Sequence, residues 1–204
     1  MTTRPYHHGN LRTAVLGAAV EAIEQHGPAA LSLRDLARRA GVSHAAPAHH
    51  FGDKTGLLTA LAAQGYELLA DALTEAIARA EADPGAGAGM TEAGVAYVRF
   101  AVGHRAHFEV MFQPGLYHPG DERVVAARGR ADRALAAGLS TLPSPPVAGE
   151  REQAELAAWS MVHGFAALWI SGALPAAPGG EAGALARTVI RHLFADGGRR
   201  TADG

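Results

Sequence analysis

The feature that most constrains this chain is residues 31–58, LSLRDLARRAGVSHAAPAHHFGDKTGLL, where two short helical patterns flank a glycine and a third follows at once. Ser32 is a good N-cap for the first helix, because its hydroxyl can accept a hydrogen bond from an N–H that the helix leaves unpaired. Gly41 ends that helix, since glycine readily adopts the left-handed conformation found at helix ends. The apolar positions between them recur at helical spacing: Leu33, Leu36, Ala37 and Ala40.

Ser43 is predicted to cap the second helix, which runs to about Phe51. Two short helices joined by a tight turn form the unit that places its second helix in the major groove of DNA. The same arrangement also occurs in proteins that never bind DNA. The next helix begins near Lys54, the only lysine in the chain. A cation beside a helix N-terminus suits a phosphate contact, and the alternative is a solvated surface lysine.

The exposed start of the second helix is where we expect contacts with DNA. Serine and histidine side chains can donate to phosphates or base edges, and alanine methyls can pack on thymine methyls. No arginine lies on this helix, so strong guanine readout is not expected from it. Pro47 lacks an N–H and predicts an irregular first turn. The predicted DNA-contacting residues are Arg34, Ser43, His44, Ala45, Ala46, His49, His50 and Lys54.

The remainder of the chain carries helical patterns and no strand pattern, so the predicted fold is all-α with about nine helices. A DNA-binding head is assigned to residues 1–56 and a second helical domain, the body, to residues 57–204. Residues 1–7 and 195–204 are expected to be a mobile arm and a disordered tail. The other helices are predicted near residues 8–25, 54–81, 91–102, 104–112, 121–139, 150–172 and 181–194.

Composition narrows the function classes. The chain has no cysteine, so it forms no disulfide and no thiolate site. No apolar run reaches the ~18 residues that a membrane span needs, and the first residues lack the apolar segment of a signal peptide, so a cytoplasmic location is expected. Residues 1–56 hold six basic and four acidic side chains, whereas the rest hold 12 and 16. A basic head on an acidic body suits a DNA-binding module joined to another domain.

Residues 6–66 resemble the DNA-binding domain of the TetR family of transcriptional regulators. The matching segments are YHHGNLRTAVLGAAVEAIEQHG, LSLRDLARRAGVS and HFGDKTGLL. A second segment, AAWSMVHGFAAL at residues 157–168, resembles the Trp-x-x-x-His-Gly motif of one subgroup of the family. This chain has Ala48 where the family commonly has a phosphate-contacting tyrosine. The resemblance implies a homodimeric repressor of a palindromic operator, released by a small-molecule effector.

The predicted eighth helix is apolar around most of its circumference from Trp159 to Ile170. Such a helix must be buried on several sides, so we expect the last two helices to pair with those of a second chain. A central helix in a monomer is the alternative. In a two-fold dimer the heads would read half-sites roughly one helical turn, ~34–36 Å, or a multiple of it apart.

The resemblance further implies a small-molecule pocket in the body, although an aromatic stripe at helical spacing is often plain core. His104 and His107, at i and i+3, could share a zinc with His118 or His163, but no cysteine accompanies them, so neither a metal nor a cofactor is expected. Two other functions stay open: a DNA-binding regulator without a small-molecule ligand, acting as an activator or through a partner protein, and an all-helical enzyme. The candidate lining residues are Tyr97, Phe100, Phe108, Met111, Phe112, Tyr117, Val124, Arg128, Trp159, His163 and Phe165.

Overall fold

The computed structural model describes residues 8–82, 88–142, 144–147, 149–174 and 181–195. Within these ranges the chain forms α-helices and two short 3₁₀ helices, Pro28–Ala30 and Pro114–Leu116, and no strand. The all-α prediction is therefore confirmed. The helices are α1 (His8–His26), α2 (Leu33–Arg39), α3 (Ala46–Phe51), α4 (Lys54–Glu81), α5 (Ala88–Gly103), α6 (Arg105–Met111), α7 (Glu122–Ser140), α8 (Arg151–Ile170) and α9 (Ala182–Ala195).

Some expectations fall outside the described residues. These are the mobile arm at residues 1–7, the tail after residue 195, and most of the segments left without a predicted helix between residues 81 and 91 and between residues 172 and 181. None of the described helices is both long and apolar enough to cross a membrane.

Contacts divide the chain into two compact units. The first unit contains residues up to Gly65 together with Arg105–Ala126, and the second contains Tyr66–His104 and the residues from Ala127 onward. α4 and α7 each contribute to both units, and α6 belongs to the first. The functional division between residues 56 and 57 stays a prediction.

The core of the first unit is built from the apolar faces of α1, α2 and α4. Val15 and Ile23 of α1, Leu36 of α2, and Leu57 and Leu61 of α4 are almost wholly buried. Burying a side chain of this size stabilises the fold by about 1.5–3 kcal/mol. These buried side chains stabilise the packing of α1 and α4 with α2, the first helix of the helix-turn-helix.

The turns on either side of α3 depend on glycine. Gly41, after α2, has φ +65°, and Gly52, after α3, has φ +77°. These are left-handed conformations that cost other residues steric strain. The predicted role of Gly41 is confirmed.

The two serine caps predicted from the sequence are not formed. Ser32 is at the N-cap position of α2, but its side chain makes no capping hydrogen bond. Ser43 does not begin α3, which starts at Ala46 with Ala45 at the N-cap. The reason is Pro47, because a helix capped by Ser43 would need a hydrogen bond from the N–H of Pro47 to the Ser43 carbonyl, and proline has no N–H.

The second unit is organised around α5, which packs against α8 and α9. Gly94 permits this approach: a Cβ there would lie 2.6 Å from Cδ1 of Ile190 and 3.3 Å from Cγ1 of Val162. Met90 of α5 also forms a buried cluster with Leu139 of α7 and Ala158 of α8. The second unit is thus a helical body in which α5 is the central helix.

Candidate functional site

The predicted DNA-reading residues form an exposed surface in the first unit. Ser43, His44 and Ala45 lie in the turn before α3 and are exposed, and His49 is exposed on α3 itself. Ala46 and His50 are half-buried on the same helix. The structure thus brings these residues together on one short segment, and their contacts with DNA stay a prediction.

The inner side of the same segment is anchored. Pro47 is buried, and the Phe51 ring lies 5.6 Å from the guanidinium carbon of Arg12 on α1. The rings of His49 and His50 are 5.5 Å apart. A cation over an aromatic face contributes about 0.5–1 kcal/mol at exposed sites. No local sequence pattern links Arg12 to Phe51, so this contact could not be predicted from the sequence.

Lys54 is fixed beside the 3₁₀ helix that follows α1. Its Nζ donates a hydrogen bond to the carbonyl oxygen of Ala29, at 2.7 Å. An ammonium group has three donors, so this bond leaves two for a phosphate. Lys54 is therefore oriented by the fold and still able to bind an anion.

The start of α4 carries a cap that the sequence analysis did not identify. The Asp53 carboxylate accepts a hydrogen bond from the Gly56 N–H, at 2.8 Å. An aspartate three residues before such an N–H is the usual signal of an N-cap. The Asp53 carboxylate offsets the positive end of the helix dipole, so the positive charge available at the start of α4 is that of Lys54.

Of the three arginines on α2, two are engaged within the chain. Arg38 donates to Asp35 at 2.6 Å, and this hydrogen bond, followed by the charge of Arg38, lowers the pKa of Asp35. Arg39 donates to Gln25 at 3.1 Å. Arg34 is exposed and has no ion pair among the described residues. Arg34 is consequently the α2 arginine best placed to contact a phosphate.

Three of the predicted ligand-facing residues meet in the second unit. The Tyr97 hydroxyl lies 2.9 Å from Nδ1 of His163, and Nε1 of Trp159 donates to the same hydroxyl at 3.3 Å. Because Trp159 donates to the oxygen, the hydroxyl proton can be donated to Nδ1, which requires neutral His163 to carry its proton on Nε2. Burial lowers the pKa of His163 and raises that of Tyr97, so both groups favour their neutral forms.

The other candidate lining residues divide between the two units. Phe108, Met111, Tyr117 and Val124 are buried in the first unit, where the Tyr117 hydroxyl donates to the Met111 carbonyl at 2.9 Å. Phe112 packs there against Phe108, with ring centroids 5.0 Å apart.

In the second unit, Phe100 is buried on α5, and Phe165 stacks on Trp169 with ring centroids 6.2 Å apart. Arg128 is exposed on α7, within 4.0 Å of Asp132. The ligand-binding role of the whole set stays a prediction. Within the described ranges, no three His, Cys, Asp or Glu side chains are placed to hold a metal ion.

Comparison with known proteins connects both parts of the chain to one family. Residues 15–61 match the model described as bacterial regulatory proteins, tetR family. Residues 90–193 match the tetracyclin repressor-like C-terminal domain. Both models describe transcriptional regulators and not enzymes.

Individual relatives agree with these models. The HTH-type transcriptional regulator BetI of Stenotrophomonas maltophilia is 38% identical over 74 residues. That match spans only 36% of the chain and 36% of the relative, about a third of each.

Solved structures match over nearly the full length. A protein of unknown function from Rhodococcus sp. RHA1 has a TM-score of 0.75 and 32% identity, over 96% of this chain and 98% of that one. The TetR family regulator PfmR from Thermus thermophilus shows the same fold with a TM-score of 0.68 at 22% identity, over 89% and 97% of the two chains. The resemblance seen in the sequence is confirmed at the level of the family, while the Trp-x-x-x-His-Gly subgroup stays a prediction. The chain belongs to the TetR family of bacterial transcriptional regulators.

Proposed function

We propose that the protein is a homodimeric transcriptional repressor that binds a palindromic DNA operator and is released by a small-molecule effector. The main observation that supports DNA binding is the segment from Ser43 to His49, most of whose side chains are exposed. Pro47 is buried on the inner side of this segment, and the Phe51 ring contacts Arg12 of α1. Serine, histidine and alanine on such a segment suit the hydrogen-bonding groups and methyls of the major groove. Arg34, which is exposed, and Lys54, which is oriented by its bond to Ala29, supply cations for the phosphates of the DNA backbone.

Selection of bound duplexes from a random pool tests this proposal. We expect enrichment of an inverted repeat, because each head of a two-fold dimer reads one half-site. Substitution of His44 and His49 by alanine should abolish the enriched preference and leave weaker, sequence-independent binding. A pool that yields no enriched motif would contradict the assignment.

Dimerisation through α8 and α9 is supported by the apolar face that α8 leaves uncovered. Ala158, Val162 and Ala166 are buried within the chain, whereas Leu156 is 58% exposed and Leu168 is 48% exposed. A helix with apolar side chains on opposite sides needs a second partner. The second copy of the chain is the partner that two-fold operator reading requires.

A charge placed on that face tests the interface. We expect Leu168→Glu to convert a dimer into a monomer in sedimentation at micromolar concentration, because the carboxylate would lose its hydration at the interface. Val125→Glu is the matched control, since Val125 is 56% exposed on α7 and outside α8 and α9. A wild-type monomer, or a dimer unaffected by Leu168→Glu, would contradict the proposed interface.

Effector control follows from linkage. A small molecule releases the operator only if it binds the DNA-free arrangement of the dimer more tightly than the DNA-bound one. Compounds that raise the melting temperature of the protein should therefore include some that weaken operator binding. A reporter gene transcribed across the operator should be silenced by the protein, and activation of that reporter would instead indicate an activator.

A further inference from the structure

The second unit contains an open groove. Of the residues predicted from the sequence to line a ligand pocket, Phe100 alone belongs to the lining of this groove. It has a volume of about 770 Å³ and lies between α4, α5 and α9. This volume is within the range of small-molecule sites, roughly 300–1,000 Å³. The apolar side chains along the groove are Leu68, Ala72, Ala76, Val95, Ala96 and Phe100.

The groove uses a different face of α5 from the Tyr97–His163 pair. Four of its lining residues follow the i, i+3, i+4, i+7 spacing of one helix face: Glu92, Val95, Ala96 and Arg99. Tyr97 is off that face and turns instead to α8, where it meets Trp159 and His163. The groove is therefore separate from that polar trio.

Charge at the rim of the groove favours an anion. The Glu92 carboxylate is neutralised by Arg187, which donates to it from both terminal nitrogens. Arg99 is paired with Glu181 at 3.1 Å, but the two side chains are 53% and 64% exposed. An ion pair this exposed contributes little, about 0–1 kcal/mol, so a ligand carboxylate can replace Glu181 at small cost.

Arg191 of α9 is the strongest element of this rim. It lines the groove and is exposed, and among the residues that the structure describes none forms an ion pair with it. Its neighbour in the lining, Arg79, is only loosely paired with Glu75, at 3.9 Å with both side chains about three-quarters exposed. The groove thus combines exposed guanidinium groups with buried or half-buried apolar side chains, several of which are alanines.

We propose that this groove binds an elongated apolar carboxylate, with its alkyl chain along α4 and α5 and its charged end on the arginine rim, chiefly Arg191. A guanidinium group binds a carboxylate through two parallel hydrogen bonds, and alanine methyls leave room for an unbranched chain. The binding itself is independent of DNA. Any effect on the operator rests on the proposed function, in which such a ligand would be the effector.

Direct binding of the full-length protein, measured without DNA, tests the proposal. The probe is a dansyl-labelled undecanoate, displaced by decanoate or by its uncharged methyl ester. We expect decanoate to bind at least about tenfold more tightly than the ester, as loss of a charge-assisted hydrogen bond implies. Arg191→Gln should remove most of this difference and leave ester binding unchanged. Arg133→Gln, which changes an exposed arginine of α7 outside the groove, should have no effect.

A second variant tests the position of the alkyl chain. Ala96→Trp fills part of the groove and should abolish displacement by both compounds, while the helical circular dichroism signal and the sedimentation coefficient stay those of the wild type. Equal affinity for acid and ester would overturn the proposal, as would unaltered binding in Arg191→Gln or Ala96→Trp. A change of oligomeric state in Ala96→Trp would overturn it in favour of a second copy of the chain in the groove. Loss of operator recognition with intact decanoate binding would refute the proposed function and leave the groove assignment standing.

Discussion

Lys54→Ala is the substitution whose consequences the structure defines most fully. Lys54 is the only lysine in the chain, and its Nζ bridges from the start of α4 to the Ala29 carbonyl. Removing the side chain deletes one cation from each protomer and one hydrogen bond from each head. The two losses have different readouts, affinity for DNA and stability, and their sizes can be worked out separately.

The loss of charge sets the effect on DNA binding. Each phosphate contact contributes about 0.9 to the slope of log K against log salt concentration. A two-fold dimer loses two contacts, so the slope should fall by about 1.8. At a salt concentration of about 0.15 M this corresponds to a roughly thirtyfold weaker complex on every duplex, because the contact carries no sequence information.

The loss of the hydrogen bond to Ala29 sets the effect on stability. The bond is near the surface, so the carbonyl regains water and the cost is about 1 kcal/mol. For a protein of this size we expect the melting temperature to fall by about 2–4 °C. We therefore expect the variant to stay folded at 25 °C, so that its DNA affinity can be measured without correction for unfolding.

Fluorescence titrations of labelled operator at several salt concentrations measure the slope for wild type, Lys54→Ala and Arg133→Gln. The uniqueness of the lysine also permits a direct footprint, since an amine-reactive acetylating reagent can modify only Lys54 and the N-terminus. Operator DNA should protect Lys54 from acetylation. An unchanged salt slope together with unprotected Lys54 would refute the phosphate contact.

Three further predictions concern the fold that supports the site. Gly41→Ala should cost about 1–2 kcal/mol, because Gly41 has φ +65° with no atom within 4 Å of an added Cβ, so only backbone strain is added; urea titration measures it, and an unchanged midpoint would contradict the strain. Gly94→Leu should cost at least about 1–3 kcal/mol by forcing Ile190 and Val162 away from α5, and a variant that melts like the wild type would show that the helices are not closely packed there. Burial lowers the pKa of His163, so the unfolded chain takes up its proton first as pH falls through about 6.5. Stability should therefore decline below that pH until the folded-state pKa is passed, and His163→Gln should remove this part of the decline. An identical pH profile in the variant would contradict the assignment.

Much of the helical architecture could be predicted because its signals are local. The bounds of α4 agree with the prediction, and Gly41 and Gly52 mark the ends of α2 and α3. The structure starts α3 two residues later than the sequence predicts, because Ser43 is a favourable cap residue but Pro47 lacks the N–H that a helix capped by Ser43 needs.

Contacts between residues that are far apart along the chain could not be predicted from the sequence. Tyr97 and His163 are 66 residues apart, and neither α5 nor α8 alone carries a signal for their pairing. The same holds for Lys54 and Ala29, which are 25 residues apart, and for Arg12 and Phe51. Each pair is created by helix packing, so only the folded chain shows which side chains support the reading surface and which line the groove of the second unit.

The central claim is that two heads in a dimer read two half-sites at one fixed spacing. The most direct measurement is the affinity for the selected operator and for versions with five or ten base pairs inserted at its centre. An insertion of five base pairs rotates one half-site by about half a turn relative to the other. An insertion of ten base pairs returns both half-sites to the same face of the duplex but increases their separation by about 34 Å. The account predicts one dimer per selected operator and at least tenfold weaker binding to both insertions. Equal affinity for all three duplexes would contradict it.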